Sequence, residues 1–129
     1  LLTDFHEHIK LPQPLITPFS MLPTDIKEEL KNKEVFNFGV KISNQGFNYN
    51  KNYCEIPVPL VLAYAIAIAS SGKAKEVFLA GFDGYNHEDP RHTEIDQVLK
   101  DYKNNKDSVA IKSITPTRYR IQSQSIYSY

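Results

Sequence analysis

Hydrophobic residues occur along this chain in two alternating patterns, short continuous runs and helical spacings. The short runs are bounded by proline, glycine or polar residues, which is typical of buried strands. They predict four strands, at residues 15–18, 35–41, 76–80 and 108–113. Gly39 interrupts the second run, where we expect a bulge or a bend.

Two further stretches predict helices that differ in how far they are buried. In residues 24–30, Thr24 is the expected N-cap, ahead of Ile26 and Leu30 at i, i+4. Residues 58–71 are apolar on almost every helical face, which predicts a helix packed on more than one side. Pro57 or Pro59 in the first turn and Gly72 just past the end occupy the favoured positions at the two ends.

The clearest amphipathic helix is predicted for residues 90–103. Asp89 is the expected N-cap, with Pro90 at the first helical position, and Asn104 and Asn105 end the helix. Its apolar positions recur at i, i+3, i+4 and i+7, namely Ile95, Val98, Leu99 and Tyr102.

Strands that alternate with helices of this length indicate βαβ units. We therefore predict an α/β, Rossmann-like three-layer fold with a mainly parallel sheet, formed by residues 1–129 as a single domain. The chain begins at Leu1 without a methionine, and we expect it to be a fragment of a larger chain. Residues 43–56 are expected to form a long polar loop, which could serve function or only connect elements at the surface.

The composition bears on three questions: binding to nucleic acid or lipid, membrane spanning and the redox compartment. Lys plus Arg and Asp plus Glu both number 15, so no strong field favours nucleic acid or anionic lipid as a partner. The longest apolar run, residues 56–69, contains two prolines and is shorter than the roughly 20 residues that a membrane-spanning helix needs. Cys54 is the single cysteine and cannot form an internal disulfide, which favours a reducing, cytoplasmic setting.

Polar residues collect where the predicted strands end. In open α/β sheets, ligands bind beyond the carboxyl ends of the strands. The candidate ligand-binding residues at that edge are Thr17, Gly81, Asp83, Gly84, Tyr85, Thr115, Thr117 and Arg118. Ser20 follows Thr17 near the same predicted edge, and the helix start at Asp89 offers unpaired backbone N–H groups that favour an anion.

Asp83 is the sharpest single candidate, with two interpretations left open. Its carboxylate, placed where a strand ends, suits hydrogen bonds from ribose or sugar hydroxyls. An Asp-Gly pair is also a common turn, in which the carboxylate would cap its own backbone. We expect the carboxylate near N–H groups or hydroxyls of neighbouring strand ends, and the flanking glycines where the backbone turns sharply or approaches a ligand.

The same stretch contains His87 and His92, five residues apart across the expected helix start. We do not expect them to share a helix face, and place both at the rim of the crevice. No zinc-binding spacing is present, so we predict no metal site. Arg118 and Arg120 alternate with Tyr119, which suits either phosphate or carboxylate binding or a solvated strand edge.

Other reaction signatures are missing from the sequence. Cys54 lies in no recognised nucleophile motif, and there is neither a GxGxxG fingerprint nor a P-loop. The residues alone therefore identify no reaction.

Three stretches together resemble a known family: IPVPLVLAYAIAIASSGKAKEVFLAGFDGY, DPRHTEIDQVLKDY and SITPTRYRIQSQSIYS. They are similar to the C-terminal accessory domain of HMG-CoA lyase-like TIM-barrel aldolases, of the 4-hydroxy-2-oxovalerate aldolase type, from bacterial surface-polysaccharide gene clusters. The similarity covers roughly residues 53–128 well and the preceding residues loosely. Its most specific pieces are Gly81-Phe-Asp-Gly-Tyr85 and Thr115-Pro-Thr-x-Tyr119 with the tail to Tyr127.

The resemblance implies an upstream aldolase barrel with its own divalent metal, and no cofactor in this domain. It implies a non-catalytic domain that binds a phosphorylated or nucleotide-linked small molecule in sugar or keto-acid metabolism, and it leaves a homo-oligomer open. A weaker similarity, to sialyltransferase-like and motility-glycosylation proteins, supports a first alternative. That alternative is a glycosyltransferase-like module with Asp83 or His87 as base. The second alternative is a purely structural or dimerisation domain.

Overall fold

A computed structural model of the protein describes residues 2–128, which form two units that meet in sequence at Val40 and Lys41. The first unit contains helix α1 (Leu2–Lys10), strand β1 (Leu15–Thr17), a 3-10 turn (Phe19–Met21), helix α2 (Thr24–Glu29) and strand β2 (Val35–Asn37). The sequence pattern predicts a single domain, without a boundary at this position.

In the first unit, β1 and β2 form a parallel pair that aligns Ile16 with Phe36. Leu30 and Phe38 are its buried hydrophobic residues among those described. Helix α2 begins one residue earlier than expected, since Pro23 occupies the N-cap and Thr24, the expected N-cap, is the first helical residue; no side chain caps this helix.

The second unit carries the larger set of elements. They are β3 (Gly39–Ile42, which starts just before the boundary), β4 (Asn48–Tyr49), β5 (Tyr53–Ile56), α3 (Val61–Ser71), β6 (Glu76–Leu79), α4 (Pro90–Asn104), β7 (Ala110–Ser113) and β8 (Gln122–Ser123). One three-stranded sheet has the order β3-β5-β4, with β4 and β5 antiparallel. The other has the order β6-β7-β8, with both pairs parallel.

The mixed α/β character and the parallel pairing are confirmed. The prediction of one sheet is wrong, because the four predicted strands are divided among three sheets. The run at 35–41 breaks at Phe38, whose side chain is buried and whose N–H donates to the Thr17 carbonyl at 3.0 Å. After this break the chain continues in β3, which belongs to a different sheet from β2.

Two other boundaries differ from the prediction. Residues 43–56 are not one loop, since they contain β4 and β5. Helix α3 begins at Val61 rather than at residue 58, with Leu60 as an extended N-cap. Pro59 biases the residue before it away from helical angles, which explains the later start.

Helix α4 follows the prediction closely: it spans Pro90–Asn104, the Asp89 side chain accepts from the Arg91 N–H, and all four predicted apolar positions are buried. Tyr102 from this helix is fully buried, and its hydroxyl lies 2.7 Å from Ser70 Oγ on α3. The same hydroxyl accepts from the Val109 N–H at 2.6 Å, just ahead of β7. Helices α3 and α4 are therefore joined to the sheet by a satisfied polar contact inside the core.

Burial also determines the protonation state of the single cysteine, Cys54. Cys54 on β5 is fully buried, and this burial raises its pKa to about 11. Its thiol is therefore protonated at neutral pH and is a poor nucleophile. Within residues 2–128, no helix is both long enough and apolar enough to cross a membrane.

Candidate functional site

The loops after β6 and β7 lie at the same edge of the sheet, because the two strands are parallel and adjacent. The Ile114 N–H donates to the Leu79 carbonyl at 3.0 Å, and the Gly81 N–H donates to Thr115 Oγ1 at 2.9 Å. Farther along, the Arg118 N–H donates to the Asp83 carbonyl at 2.9 Å. Three hydrogen bonds thus hold the two loops together beyond the last strand residues.

An open depression of about 620 Å³ lies between these loops. Its lining residues are Asp83, Gly84, Pro116, Thr117 and Arg118. Six of the eight predicted ligand-binding residues therefore lie in or next to it. Asp83, Gly84, Thr117 and Arg118 line it, and Gly81 and Thr115 support its walls, whereas Tyr85 and Thr17 are not among its lining residues.

The Asp83 carboxylate is the unusual group in this depression. Asp83 is exposed, and its carboxylate has no hydrogen-bond or ion-pair partner among the side chains that the structure describes, those of residues 5–128. Only its backbone carbonyl is engaged, by the Arg118 N–H. The carboxylate therefore does not cap its own turn, so the turn interpretation does not account for its charge.

Arg118 and Thr117 supply donors beside that carboxylate. Arg118 Nη1 donates to Asn86 Oδ1 at 2.6 Å, which leaves further guanidinium N–H groups for a ligand. Thr117 Oγ1 accepts from the Tyr119 N–H at 3.3 Å, so its O–H proton stays available for donation. The depression thus combines a negative acceptor with a cationic donor and a hydroxyl.

Gly84 is required by close packing against a neighbouring ring. Its φ is +93°, and a Cβ at this position would lie 2.8 Å from Tyr119 Cε2. Tyr119 is itself only 4% exposed. The backbone at Gly84 therefore approaches a buried side chain, Tyr119, in the loop after β7.

Stacked rings continue inward from this contact. The Tyr119 ring stacks on Phe82 with centroids 5.1 Å apart, and on His92 with centroids 4.9 Å apart. The Tyr119 hydroxyl accepts from the Tyr85 N–H at 3.3 Å. Tyr119 therefore fixes the loop that carries Asp83 against the start of α4.

The predicted positions of the two histidines are half right. His87 is exposed, as expected at a rim, but His92 is 8% exposed and belongs to the buried face of α4. His87 Nδ1 lies 3.1 Å from His92 Nε2, so the two rings are brought together. The two residues do not share a helix face, as expected, because His87 lies in the loop before α4, and its ring turns back over the first turn of the helix.

The positive end of α4 already has a negative partner within the protein, the Asp89 carboxylate. Asp89 accepts from the Arg91 side chain at 2.7 and 3.0 Å and from its backbone N–H at 2.9 Å, and these hydrogen bonds hold the pKa of Asp89 below its usual value. The Arg91 guanidinium also lies 4.0 Å from the centre of the Tyr85 ring. The Asp89 carboxylate therefore occupies the anion site expected at this helix start. The Arg91 guanidinium packs on the Tyr85 ring, so this ring contacts Arg91 rather than the depression.

Thr17 and Ser20 do not join this group. Thr17 ends β1, which belongs to a different sheet from β6 and β7. Its carbonyl accepts from the Phe38 N–H, and the Ser20 N–H donates to Asn37 Oδ1 at 3.1 Å. Both residues are engaged within the first unit.

Asn86, Pro116 and Tyr119 belong to the site but are not among the residues predicted for it, and the contact of His92 with His87 was not predicted either. For Tyr119 a signal was present, because polar and apolar residues alternate from Arg118 to Ile121, and Tyr119 and Ile121 are both buried. For Asn86 and His92 no local pattern indicates the contact, which depends on how the loop folds over the helix.

No protein-family model, curated protein or solved structure matches this chain.

Proposed function

We propose that this chain is a non-catalytic, ligand-binding accessory domain. Its ligand is a small hydroxylated molecule that carries a phosphate or a linked nucleotide, bound in the depression at the carboxyl edge of the β6-β7-β8 sheet. The observation that carries the proposal is the unpartnered carboxylate of Asp83 in the same depression as Arg118.

The two charges suit two parts of one ligand. A carboxylate accepts hydrogen bonds from sugar or ribose hydroxyls, and charge-assisted bonds of this kind are stronger than neutral ones. A guanidinium with free N–H groups binds phosphate or carboxylate oxygens, and the Thr117 hydroxyl adds a neutral donor. A ligand with both features would satisfy groups that otherwise rely on water.

The loops are held in place before any ligand arrives. The backbone hydrogen bond between Arg118 and Asp83 and the packing of Gly84 on Tyr119 fix the lining residues relative to each other. Preorganisation of this kind lowers the entropy lost on binding. It supports a role in binding small molecules.

The state of the single cysteine supports the non-catalytic part of the proposal. Cys54 is buried and protonated, and it does not line the depression. A base-catalysed transferase, with Asp83 or His87 as base, is the alternative that measurable turnover by this chain would favour.

The biological setting rests on the sequence resemblance. We propose that the domain follows an aldolase barrel with its own divalent metal and serves sugar or keto-acid metabolism for bacterial surface polysaccharide. We also propose a cytoplasmic location, which fits the free thiol of Cys54.

The test is calorimetric titration of the chain with a nucleotide sugar (UDP-N-acetylglucosamine) and a sugar phosphate (glucose 1-phosphate). Asp83→Asn keeps the side-chain size and removes the charge, and we expect about tenfold weaker binding, or about 1.4 kcal/mol. Glu88→Gln is the matched control, because it removes one negative charge from an exposed position in the same loop without changing the depression.

Three outcomes would contradict the proposal. Neither ligand binds the wild-type chain, or Asp83→Asn binds as well as the wild type. In the third outcome, Asp83→Asn lowers binding and folding stability together, which would make Asp83 a structural residue of the turn.

A further inference from the structure

His87 and His92 form a contact that the proposed ligand site does not use. The two rings are T-shaped, with centroids 4.5 Å apart, and His87 Nδ1 lies 3.1 Å from His92 Nε2. His92 is buried, whereas His87 is exposed, so the pair lies at the surface with one side open to water.

The environment of His92 decides which of its nitrogens carries the proton. His92 Nδ1 lies 3.1 Å from the Tyr85 carbonyl oxygen, which can only accept a hydrogen bond. Nδ1 therefore carries the proton, and Nε2 of the neutral ring presents a lone pair towards His87. A histidine that binds a metal through one nitrogen usually donates from the other to a carbonyl or carboxylate, as His92 does here.

His87 can present a second lone pair at the same place. In the tautomer protonated at Nε2, the Nδ1 atom of His87 carries a lone pair and faces His92 Nε2. Nitrogens that bind one tetrahedral Zn²⁺ at about 2.0–2.1 Å lie about 3.3–3.4 Å apart. The separation of 3.1 Å is close to that span, so a cation would require only a small movement of the exposed ring.

The buried ring is held rigidly for such a role. His92 stacks on Tyr119 with an interplanar angle of 16° and lies in the first turn of α4, where Asp89 caps the helix. Within residues 2–128, no third His, Cys, Asp or Glu completes a metal-binding group. Water, on the open side of His87, would supply the remaining ligands.

We infer that His87 and His92 form a two-imidazole binding site for a late first-row divalent cation, with Zn²⁺, Ni²⁺ and Cu²⁺ as the class. Imidazole nitrogen suits these ions, whereas Mg²⁺ and Ca²⁺ prefer oxygen ligands. The inference departs from the prediction of no metal site, and it does not depend on the ligand proposed for the Asp83 depression.

The experiment is calorimetric titration of the chain with ZnCl₂, NiCl₂ and MgCl₂ in separate runs. We expect Zn²⁺ and Ni²⁺ to bind and Mg²⁺ to give no heat at this site. His87→Gln and His92→Gln should each weaken Zn²⁺ binding at least about tenfold. His8→Gln is the matched control, since it removes an exposed imidazole from α1 and should leave this binding unchanged.

His87→Gln keeps the test valid even if His92→Gln fails to fold, because His87 is exposed. Nitrogen-15 spectra of the imidazoles provide a second measurement, in which Zn²⁺ should shift His87 Nδ1 and His92 Nε2. The inference is overturned if Zn²⁺ binds His87→Gln and wild type equally, or if wild type takes up no Zn²⁺ at about 1 mM. In either case the contact is a hydrogen bond alone.

Discussion

In the first unit, the paired residues Ile16 and Phe36 are 42% and 52% exposed, whereas the helices of the second unit bury their apolar faces. Parallel strands are normally covered on both faces, so the β1-β2 pair is unusually open. The buried residues of the second unit include Ile66 on α3 and Val98 on α4, each at most 1% exposed.

The units also differ in how their polar groups are satisfied. The described side-chain hydrogen bonds of the first unit are exposed, such as that between the Ser20 N–H and Asn37 Oδ1. In the second unit, Ser70 and Tyr102 form a buried hydrogen bond. The candidate site therefore belongs to the unit with the better packed core. That core supports the loops of the site rigidly.

The largest expected effect compares one isoleucine from each unit. Ile66→Ala removes a fully buried side chain and should lower the free energy of unfolding by about 2–5 kcal/mol. Ile16→Ala removes the same atoms from an exposed position and should lower it by less than about 1 kcal/mol. Urea unfolding measures both values, and similar losses for the two variants would remove the contrast between the units.

The second comparison concerns hydrogen bonds. Tyr102→Phe removes the hydroxyl that accepts from the part-buried Val109 N–H and contacts the buried Ser70 hydroxyl, and leaving these groups unpaired should cost about 1–3 kcal/mol. Asn37→Ala removes the exposed acceptor for the Ser20 N–H and should change stability by no more than about 0.5 kcal/mol. If Tyr102→Phe proves neutral in urea unfolding, the buried contact does not stabilise the second unit.

Helix α4 could be predicted from sequence because its signals are local. The N-cap at Asp89, the proline after it and the spacing of the apolar residues all depend on neighbours within a few positions, and the observed helix agrees with them. The strand at Glu76–Leu79 and the polar loop after it were predictable for the same reason. From these two elements, the carboxyl-edge position of Asp83 follows.

The remaining features depend on contacts that no local pattern contains. Strands β4 and β5 lie in a stretch rich in asparagine, where pairing with each other rather than hydrophobic alternation defines them. The change of sheet after Phe38 depends on burial of that ring. The contact between His87 and His92 depends on the Tyr85 carbonyl and the Tyr119 ring, which lie in different loops.

The smallest expected effect compares the first turns of α4 and α2 and depends on pH. Asp89 caps α4 through Arg91, whereas α2 has no side-chain cap and carries Asp25 in its first turn. Hydrogen bonds from the side chain and backbone of Arg91 lower the pKa of Asp89 in the folded protein. A carboxylate with a lowered folded pKa stabilises the protein above its unfolded pKa, and this stabilisation is lost as the pH falls through the folded value.

Asp89→Asn should therefore reduce stability at neutral pH, and the difference from wild type should shrink as the pH is lowered towards about 2. The reduction should be modest, since asparagine also serves as an N-cap and Asp89 lies near the surface. Asp25→Asn removes the same charge from a helix without a cap bond, so its effect at neutral pH should be smaller. The melting temperatures of wild type, Asp89→Asn and Asp25→Asn across this pH range test the comparison. A gap between wild type and Asp89→Asn that stays constant with pH would show that the carboxylate charge does not stabilise α4, and that the two helix starts are equivalent in this respect.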